Sequence, residues 1–132
     1  MKAFLVDLEN KPGELARCAE ALGQKGINIT SVAGASCGSS GRVAFMTADE
    51  AATRRAFQEI NCTFQEIDAV EASMRNQPGT LGQTARRLAN AGVNIEAIVP
   101  TGMSGNDVMV AFVTDNATKA REVLATSAST MR

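Results

Sequence analysis

The sequence contains NKPGELARCAEALGQKGINI at residues 10–29 and an altered version of it, NQPGTLGQTARRLANAGVNI, at residues 76–95. Nine of the twenty aligned positions are identical, and the two stretches start 66 residues apart in a chain of 132 residues. A second match follows each stretch, VAFMT at 43–47 and VAFVT at 110–114. Similarity at a fixed period is typical of a chain built from repeated units. The sequence therefore predicts two modules, residues 1–67 and residues 68–132.

The hydrophobic pattern of the first repeat predicts the order βαββαβ. Apolar residues that alternate from Phe4 to Leu8 indicate a strand with one buried face. Pro12 is expected to open a helix, with an apolar stripe along one side made of Leu15, Cys18, Ala19 and Leu22. The Gly/Ser-rich segment GASCGSSG is expected to be a hairpin loop between strands near 27–33 and 42–47. A helix at 49–60 and a strand at 63–67 complete the unit.

The second repeat follows the same order from Val70 onward. Helices are expected at 81–90 and 117–125, and strands at 93–99 and 108–114. The last strand has no counterpart, because the chain ends in the short polar tail TSASTMR. A missing final strand would leave a sheet edge that a partner chain could cover, which predicts oligomerisation.

Both repeats contain a strand, the motif Asn-X-Pro-Gly-X-Leu, an amphipathic helix and then Gly-(Ile/Val)-Asn-Ile. This order resembles the signature of ACT domains, twice over, and the resemblance covers nearly the whole chain. It implies an α+β fold with two ferredoxin-like βαββαβ modules packed side by side, each an antiparallel sheet with helices on one face. It also implies that the modules pair through their sheets and bind amino acids or similar small effectors at the interface between modules.

The Pro-Gly turn has a chemistry that suits such an effector. It lies at a helix N-terminus, where backbone N–H groups lack intrahelical partners and the helix dipole favours a carboxylate. Asparagine offers both amide donors and a carbonyl acceptor. In ACT domains of the serine-sensing kind, asparagines at the matching positions hold the effector, so the resemblance implies this role for Asn10, Asn28, Asn76 and Asn94. The expected ligand-binding residues are Asn10, Pro12, Gly13, Glu14, Leu15, Asn28 and Ile29, and in the second repeat Asn76, Pro78, Gly79, Thr80, Leu81, Asn94 and Ile95.

Each of these residue types also has a purely structural interpretation. Asn10 and Asn76 are suited to capping the following helix. Asn28 and Asn94 could satisfy backbone groups in the turn that follows a glycine. The glycines of the motifs fit positions where the backbone takes a positive φ, whether or not a ligand binds.

Composition excludes several classes of function. The chain has 13 basic and 14 acidic residues, and five Phe with no Trp or Tyr, which argues against a nucleic-acid partner. No apolar run is long enough for a signal peptide or a membrane span, so we expect a cytoplasmic protein with no membrane partner. The three cysteines are widely spaced and there is no histidine. We therefore expect reduced thiols, no metal site and no cofactor.

Three functions remain open from the sequence. The first is a non-catalytic regulatory protein, a homo-oligomer such as a dimer, that binds an amino acid and acts alone or on a partner enzyme. The second is an enzyme of ferredoxin-like fold such as an acylphosphatase, but the chain shows no arginine-bearing phosphate loop and no histidine for acid-base chemistry. The third is a structural oligomerisation module, or a regulatory subunit of a separate enzyme of amino-acid metabolism, with no ligand of its own. The first is favoured because both repeats keep both asparagines.

Overall fold

The computed structural model describes the backbone of residues 1–130 and the side chains of residues 1–125. The chain is α+β, as expected, and divides into two compact units. The first unit is residues 2–66, and the second is residue 1 with the residues from 67 onward. The elements are β1 (Lys2–Glu9), α1 (Glu14–Gln24), β2 (Ile29–Cys37), β3 (Ser40–Thr47), α2 (Glu50–Glu59), β4 (Thr63–Arg75), α3 (Thr80–Asn90), β5 (Ile95–Ser104), β6 (Asp107–Thr114) and α4 (Ala117–Thr130).

The sheet of the first unit has the strand order β2-β3-β1-β4, with the start of β4 as its last strand. β3 pairs antiparallel with both β1 and β2, so that Phe45 lies opposite Phe4 on one side and Val32 on the other. Both helices bury apolar side chains against one face of this sheet. The core consists of Phe4, Val6, Leu8, Cys18, Leu22, Ile27, Phe45, Ala56 and Phe57.

Four phenylalanines form an aromatic cluster in this core. The ring of Phe57, on α2, lies 6.0 Å from that of Phe4, 5.6 Å from that of Phe45 and 5.7 Å from that of Phe64. These centroid distances are in the range where tilted aromatic pairs attract one another beyond the area they bury. The cluster therefore joins α2 to three strands of the unit.

The described part of the second unit has three strands and a core that is aliphatic except for Phe112. Its strand order is β4-β6-β5, and β6 pairs antiparallel with both neighbours. α4 is the last element that the structure describes, and it runs five residues beyond the end expected at 125. The remaining tail residues, 131 and 132, lie outside the described part of the chain. The core consists of Val70, Ala72, Met74, Leu88, Val93, Val110, Phe112, Ala120 and Leu124.

The helix after the first Pro-Gly turn begins later than the sequence predicts, whereas α3 begins at Thr80, one residue before its expected start at 81. Pro12 was expected to open α1, but the first helical residue is Glu14 and the N-cap is Gly13. Gly13 has a φ of +91°, and the equivalent Gly79 before α3 has a φ of +90°. A backbone in this left-handed region cannot form part of a right-handed helix, so the helix begins only after the glycine.

The buried stripe of α1 also differs from the prediction. Leu15 was expected in the core, but it is 52% exposed, and its counterpart Leu81 is 49% exposed. On α1 the buried residues are Cys18 and Leu22, four residues apart. Leu15 lies in the first helical turn, where it faces the open pocket described below instead of the core.

Candidate functional site

The turn between β1 and α1 is fastened to the tip of the β2–β3 hairpin. The backbone N–H of Asn10 donates to the carbonyl of Ser39 at 2.9 Å. The side-chain amide of Asn10 donates to the carbonyl of Gly38, also at 2.9 Å. Asn10 therefore holds together two segments of the chain that are 28 residues apart.

A small pocket of about 150 Å³ lies between this turn, the first turn of α1 and the hairpin. We call it the turn pocket. Pockets for drug-sized ligands start at about 300 Å³, so the turn pocket has the size for a smaller metabolite. Its lining consists of Leu8, Glu9, Asn10, Lys11, Glu14 and Leu15 from β1 to α1, and of Ala35, Ser36, Gly41, Arg42 and Val43 from the hairpin.

Charges of both signs surround an apolar part of the turn pocket. The Lys11 ammonium lies 3.0 Å from a Glu9 carboxylate oxygen. The hydrogen bond to Glu9, together with the charge of that carboxylate, raises the pKa of Lys11. Arg42 Nε donates to Asp7 Oδ1 at 2.9 Å, and Glu14 lies at the start of α1. Such a lining offers partners to both ends of a zwitterion.

The N-terminus of α1 opens beside this pocket without a side-chain cap. The N-cap Gly13 has no side chain to offer, and no other side chain caps α1 or α3. The interpretation of Asn10 and Asn76 as helix caps is therefore wrong. The first N–H groups of a helix have no intrahelical partner and favour an anion.

The second repeat reproduces the backbone of the turn but differs in its side chains. The N–H of Asn76 donates to the carbonyl of Asn106 at 2.7 Å, matching the bond from Asn10 to Ser39. Thr80 was expected among the ligand-binding residues, but it is buried, and its carbonyl accepts from Thr84 Oγ1 at 2.9 Å. Its side chain therefore belongs to the interior of the second unit.

The asparagines that follow each helix lie far from the turns. The carbonyl of Asn28 accepts from the N–H of Ala48 at 3.1 Å, at the end of β2 opposite the hairpin tip. β2 has nine residues, so about 30 Å of extended chain separates this end from the tip. In the second unit, the N–H of Asn94 donates to Asp115 Oδ1 at 2.9 Å and its side-chain amide donates to Glu96. Within the first unit, Asn28 therefore does not meet Asn10.

The remaining expected residues divide between the turns and the cores. Ile29 and Ile95 are partly buried and pack against the core of their own unit. Exposed positions in or beside the turns hold the others, Pro12, Gly13, Pro78, Gly79 and Leu81. Of the residues expected in the first repeat, the turn pocket brings together Asn10, Glu14 and Leu15.

Sequence reasoning missed the hairpin side of the turn pocket. Ser36, Arg42 and Val43 were considered only as parts of a loop or strand. Arg42 faces the turn because β3 pairs with β1 in a register that places it opposite Asp7. That register is set by packing between segments distant in sequence. The only local signal was the Gly/Ser-rich segment at 34–41, which was expected to be a loop but lies mostly within β2 and β3.

Each unit exposes large apolar side chains at equivalent positions. Leu15 and Val32 are 52% and 49% exposed, and their counterparts Leu81 and Ile98 are 49% and 39% exposed. Val32 lies on β2 and Ile98 on β5, the outer strands of their sheets. β2 has no charged residue and no proline, whereas β5 contains Glu96 and Pro100. Charges and proline are among the features that keep an outer strand from pairing further, so β2 is the more open edge.

The described part of the chain has neither a metal-binding cluster nor a membrane-spanning helix. No group of three or more His, Cys, Asp or Glu side chains within that part of the chain is arranged to hold a metal ion. None of the helices described there is both long and apolar enough to cross a membrane.

Comparison with known proteins defines the fold class. No protein-family profile and no curated protein sequence matches the chain. Among solved structures, a protein from Bacteroides thetaiotaomicron is 27% identical, with a TM-score of 0.77 over 95% of this chain and 86% of that one. The regulatory subunit of aspartate kinase from Thermus thermophilus is 20% identical, with a TM-score of 0.67 over 98% and 90% of the two chains.

The regulatory subunit of aspartate kinase from Thermus flavus is also similar, at 19% identity and a TM-score of 0.66 over 96% of this chain and 90% of that one. The chain thus has the α+β fold of these regulatory subunits. This likeness supports the ACT-type fold that the repeated motif implies.

Proposed function

We propose that the chain is a tandem ACT protein, with modules at 1–67 and 68–132, that binds an amino acid and regulates rather than catalyses. The observation that carries this proposal is the turn pocket. It combines a helix N-terminus, charges of both signs and apolar side chains in a volume suited to a small metabolite. The repetition of the same turn in the second unit gives the proposal a second potential site.

The chemistry of the turn pocket matches the two ends of an amino acid. We place the carboxylate at the N-terminus of α1, within reach of Arg42, because backbone N–H groups and a guanidinium are strong donors to it. The ammonium group would then meet the carboxylates of Glu9 and Glu14. The side chain of the ligand would pack against Leu8 and Val43.

Asn28 and Asn94 would take part only if they came from a second module. Within the first unit Asn28 lies at the far end of β2 from the turn pocket, so it would contact an effector bound at a different module. For this reason we place the effector at an interface between modules. We expect Asn28→Ala to lower affinity by about 1 to 3 kcal/mol if it contributes a hydrogen bond to a charged ligand group.

A second copy of the chain is the partner that we propose for the outer strand β2. Its uncharged edge and the exposed Val32 are features that favour addition of another strand. A partner enzyme is a further proposal, motivated by the shared fold with regulatory subunits of aspartate kinase. A regulator of such an enzyme would act in the cytoplasm, without a cofactor of its own.

A thermal-shift screen of the purified chain against the twenty amino acids tests the proposal. A ligand that binds only the folded state raises Tm in proportion to its occupancy, so we expect a rise with one or two related amino acids. Arg42→Ala should then weaken binding by about 10-fold or more, since a hydrogen bond to a charged group is lost. Arg121→Ala, at an exposed arginine of α4, is the matched control and should bind as the wild type does. No shift with any amino acid at millimolar concentration would argue for a structural module instead.

A further inference from the structure

Two of the three cysteines lie in contact inside the first unit. The sulfur of Cys18, on α1, is 3.5 Å from the sulfur of Cys62, just before β4. A disulfide needs about 2.05 Å between sulfurs, so a small side-chain movement would bring them to bonding distance. Cys37, in contrast, is exposed at the end of β2.

Hydrogen bonds on either side of the two cysteines hold them close together. Arg17 Nη1 donates to the carbonyl of Ile60 at 3.0 Å, which joins α1 to the loop after α2. The N–H of Cys62 donates to the carbonyl of Phe57 at 3.0 Å. The two thiols are therefore held as neighbours by the fold, although 44 residues separate them in sequence.

The two thiols differ in access to solvent. Cys18 is fully buried, and burial, followed by its hydrogen bond to Cys62, raises the pKa of the Cys18 thiol to about 12. Cys62 is partly exposed. A small oxidant therefore reaches Cys62 first. The neighbouring buried Cys18 is then still a protonated thiol.

We propose that Cys18 and Cys62 form an oxidation site that peroxides convert to an intramolecular disulfide. The thiolate of Cys62 attacks one oxygen of hydrogen peroxide, the O–O bond breaks, and Cys62 becomes a sulfenic acid while water is released after protonation. The sulfur of Cys18 then displaces the hydroxyl group from Cys62, and the thiol proton of Cys18 leaves with it as water. In total, two thiols and one peroxide give one disulfide and two water molecules.

The second repeat has no such pair. The residue equivalent to Cys18 is Thr84, whose hydroxyl donates to the carbonyl of Thr80 at 2.9 Å. The cross-link would therefore act on the first unit alone. It would tie α1, the helix whose first turn lines the turn pocket, to the start of β4. Oxidation of Cys18 and Cys62 does not depend on whether an effector binds in the turn pocket.

Peptide mapping of the full-length chain tests the proposal. The reduced protein is treated with hydrogen peroxide, its free thiols are blocked with iodoacetamide, and it is digested with trypsin. We expect a linked species joining peptide 18–25 to peptide 56–75, with Cys37 alkylated in peptide 26–42. Reactive thiols should fall from three to one. Dithiothreitol should restore all of them.

Two variants and a melting curve complete the test. Cys37→Ser should keep the linked peptide, whereas Cys62→Ser should lose it while retaining the wild-type circular dichroism spectrum. The cross-link closes a long loop, so oxidation should raise Tm by on the order of 10 °C in the wild type and in Cys37→Ser, but not in Cys62→Ser. Conversion of Cys62 to a sulfinic acid without the linked peptide, or a disulfide that joins only Cys37 of two chains, would overturn the proposal.

Discussion

The two units keep the same turns around different cores. Gly13 and Gly79 have φ values of +91° and +90°, and each turn is bonded to its own hairpin through the N–H of an asparagine. Inside, the first unit has a cluster of four phenylalanines and a thiol pair, while the core of the second is aliphatic around Phe112. The backbone of the turn is thus the feature that both repeats retain, and the core is the feature that has diverged.

We expect a substitution in the core of the first unit to lower the free energy of unfolding most. Phe57 corresponds to Leu124 in the second unit, and both side chains are buried. Phe57→Ala should lower the free energy of unfolding by about 3 to 5 kcal/mol. It also removes ring contacts worth about 0.5 to 1.5 kcal/mol each, which Leu124→Ala does not. Urea unfolding followed by far-UV circular dichroism measures both variants, because the chain has no Trp or Tyr. Equal losses in free energy of unfolding for the two variants would show that the aromatic contacts add no stability beyond the burial of the side chain.

The turns should respond equally to the same substitution. Gly13→Ala and Gly79→Ala place a Cβ on a left-handed backbone, which costs about 1 to 2 kcal/mol. The matched controls are Gly23→Ala and Gly82→Ala, inside α1 and α3, where an added methyl group meets no atom within 4 Å. These should stabilise the chain by roughly 0.5 to 1 kcal/mol, since alanine is the better helix former. If the losses in free energy of unfolding at the two turns differed by more than about 1 kcal/mol, the two turns would not be equivalent.

We expect the loss of an ion pair found in the first unit to change the free energy of unfolding least. Arg54 Nε and Nη2 both donate to Glu66, the second at 2.8 Å, and these hydrogen bonds lower the pKa of Glu66. A carboxyl with a lowered pKa stabilises the folded state above its unfolded pKa of about 4.3, and this contribution is lost as pH falls through the folded pKa.

Glu66→Gln should therefore cost less than about 1 kcal/mol at pH 7, because the pair is partly exposed. The difference from wild type should shrink on going from pH 7 to pH 3 in urea unfolding experiments. Glu20→Gln, at an exposed position of α1, serves as the control. A difference that persists unchanged at pH 3 would assign the effect to packing rather than charge.

The repeated motifs predicted the elements and their order because each contains its own local signal. Alternating apolar residues mark β1, and Pro-Gly marks the turn before α1. The helix start was wrong by two residues, since a Pro-Gly pair alone does not reveal which residue takes the left-handed φ that Gly13 adopts. The prediction that Leu15 is buried was wrong, because periodicity cannot distinguish a helical turn that covers a core from one that faces an open pocket.

The candidate site was only partly predictable for a different reason. Asn10 belongs to the motif, and the structure places it in the turn pocket. Arg42 and Val43 enter the same pocket through the pairing of β3 with β1, which joins segments about 35 residues apart. No local pattern encodes that register, so the five lining residues from the hairpin, out of eleven, could not be predicted from the sequence.

The bond from the Asn10 side chain to Gly38 has a consequence for how long the protein survives in a cell. A hairpin such as β2–β3 forms in roughly 1 to 10 μs, but the turn pocket also needs β1, the turn and the first turn of α1 in place, so it exists only once these segments have assembled. Any ligand of that pocket binds the folded chain and not the open one, and it lowers the fraction of time during which proteases reach the backbone. If the pocket binds an amino acid as proposed, the abundance of the protein would follow the concentration of that amino acid.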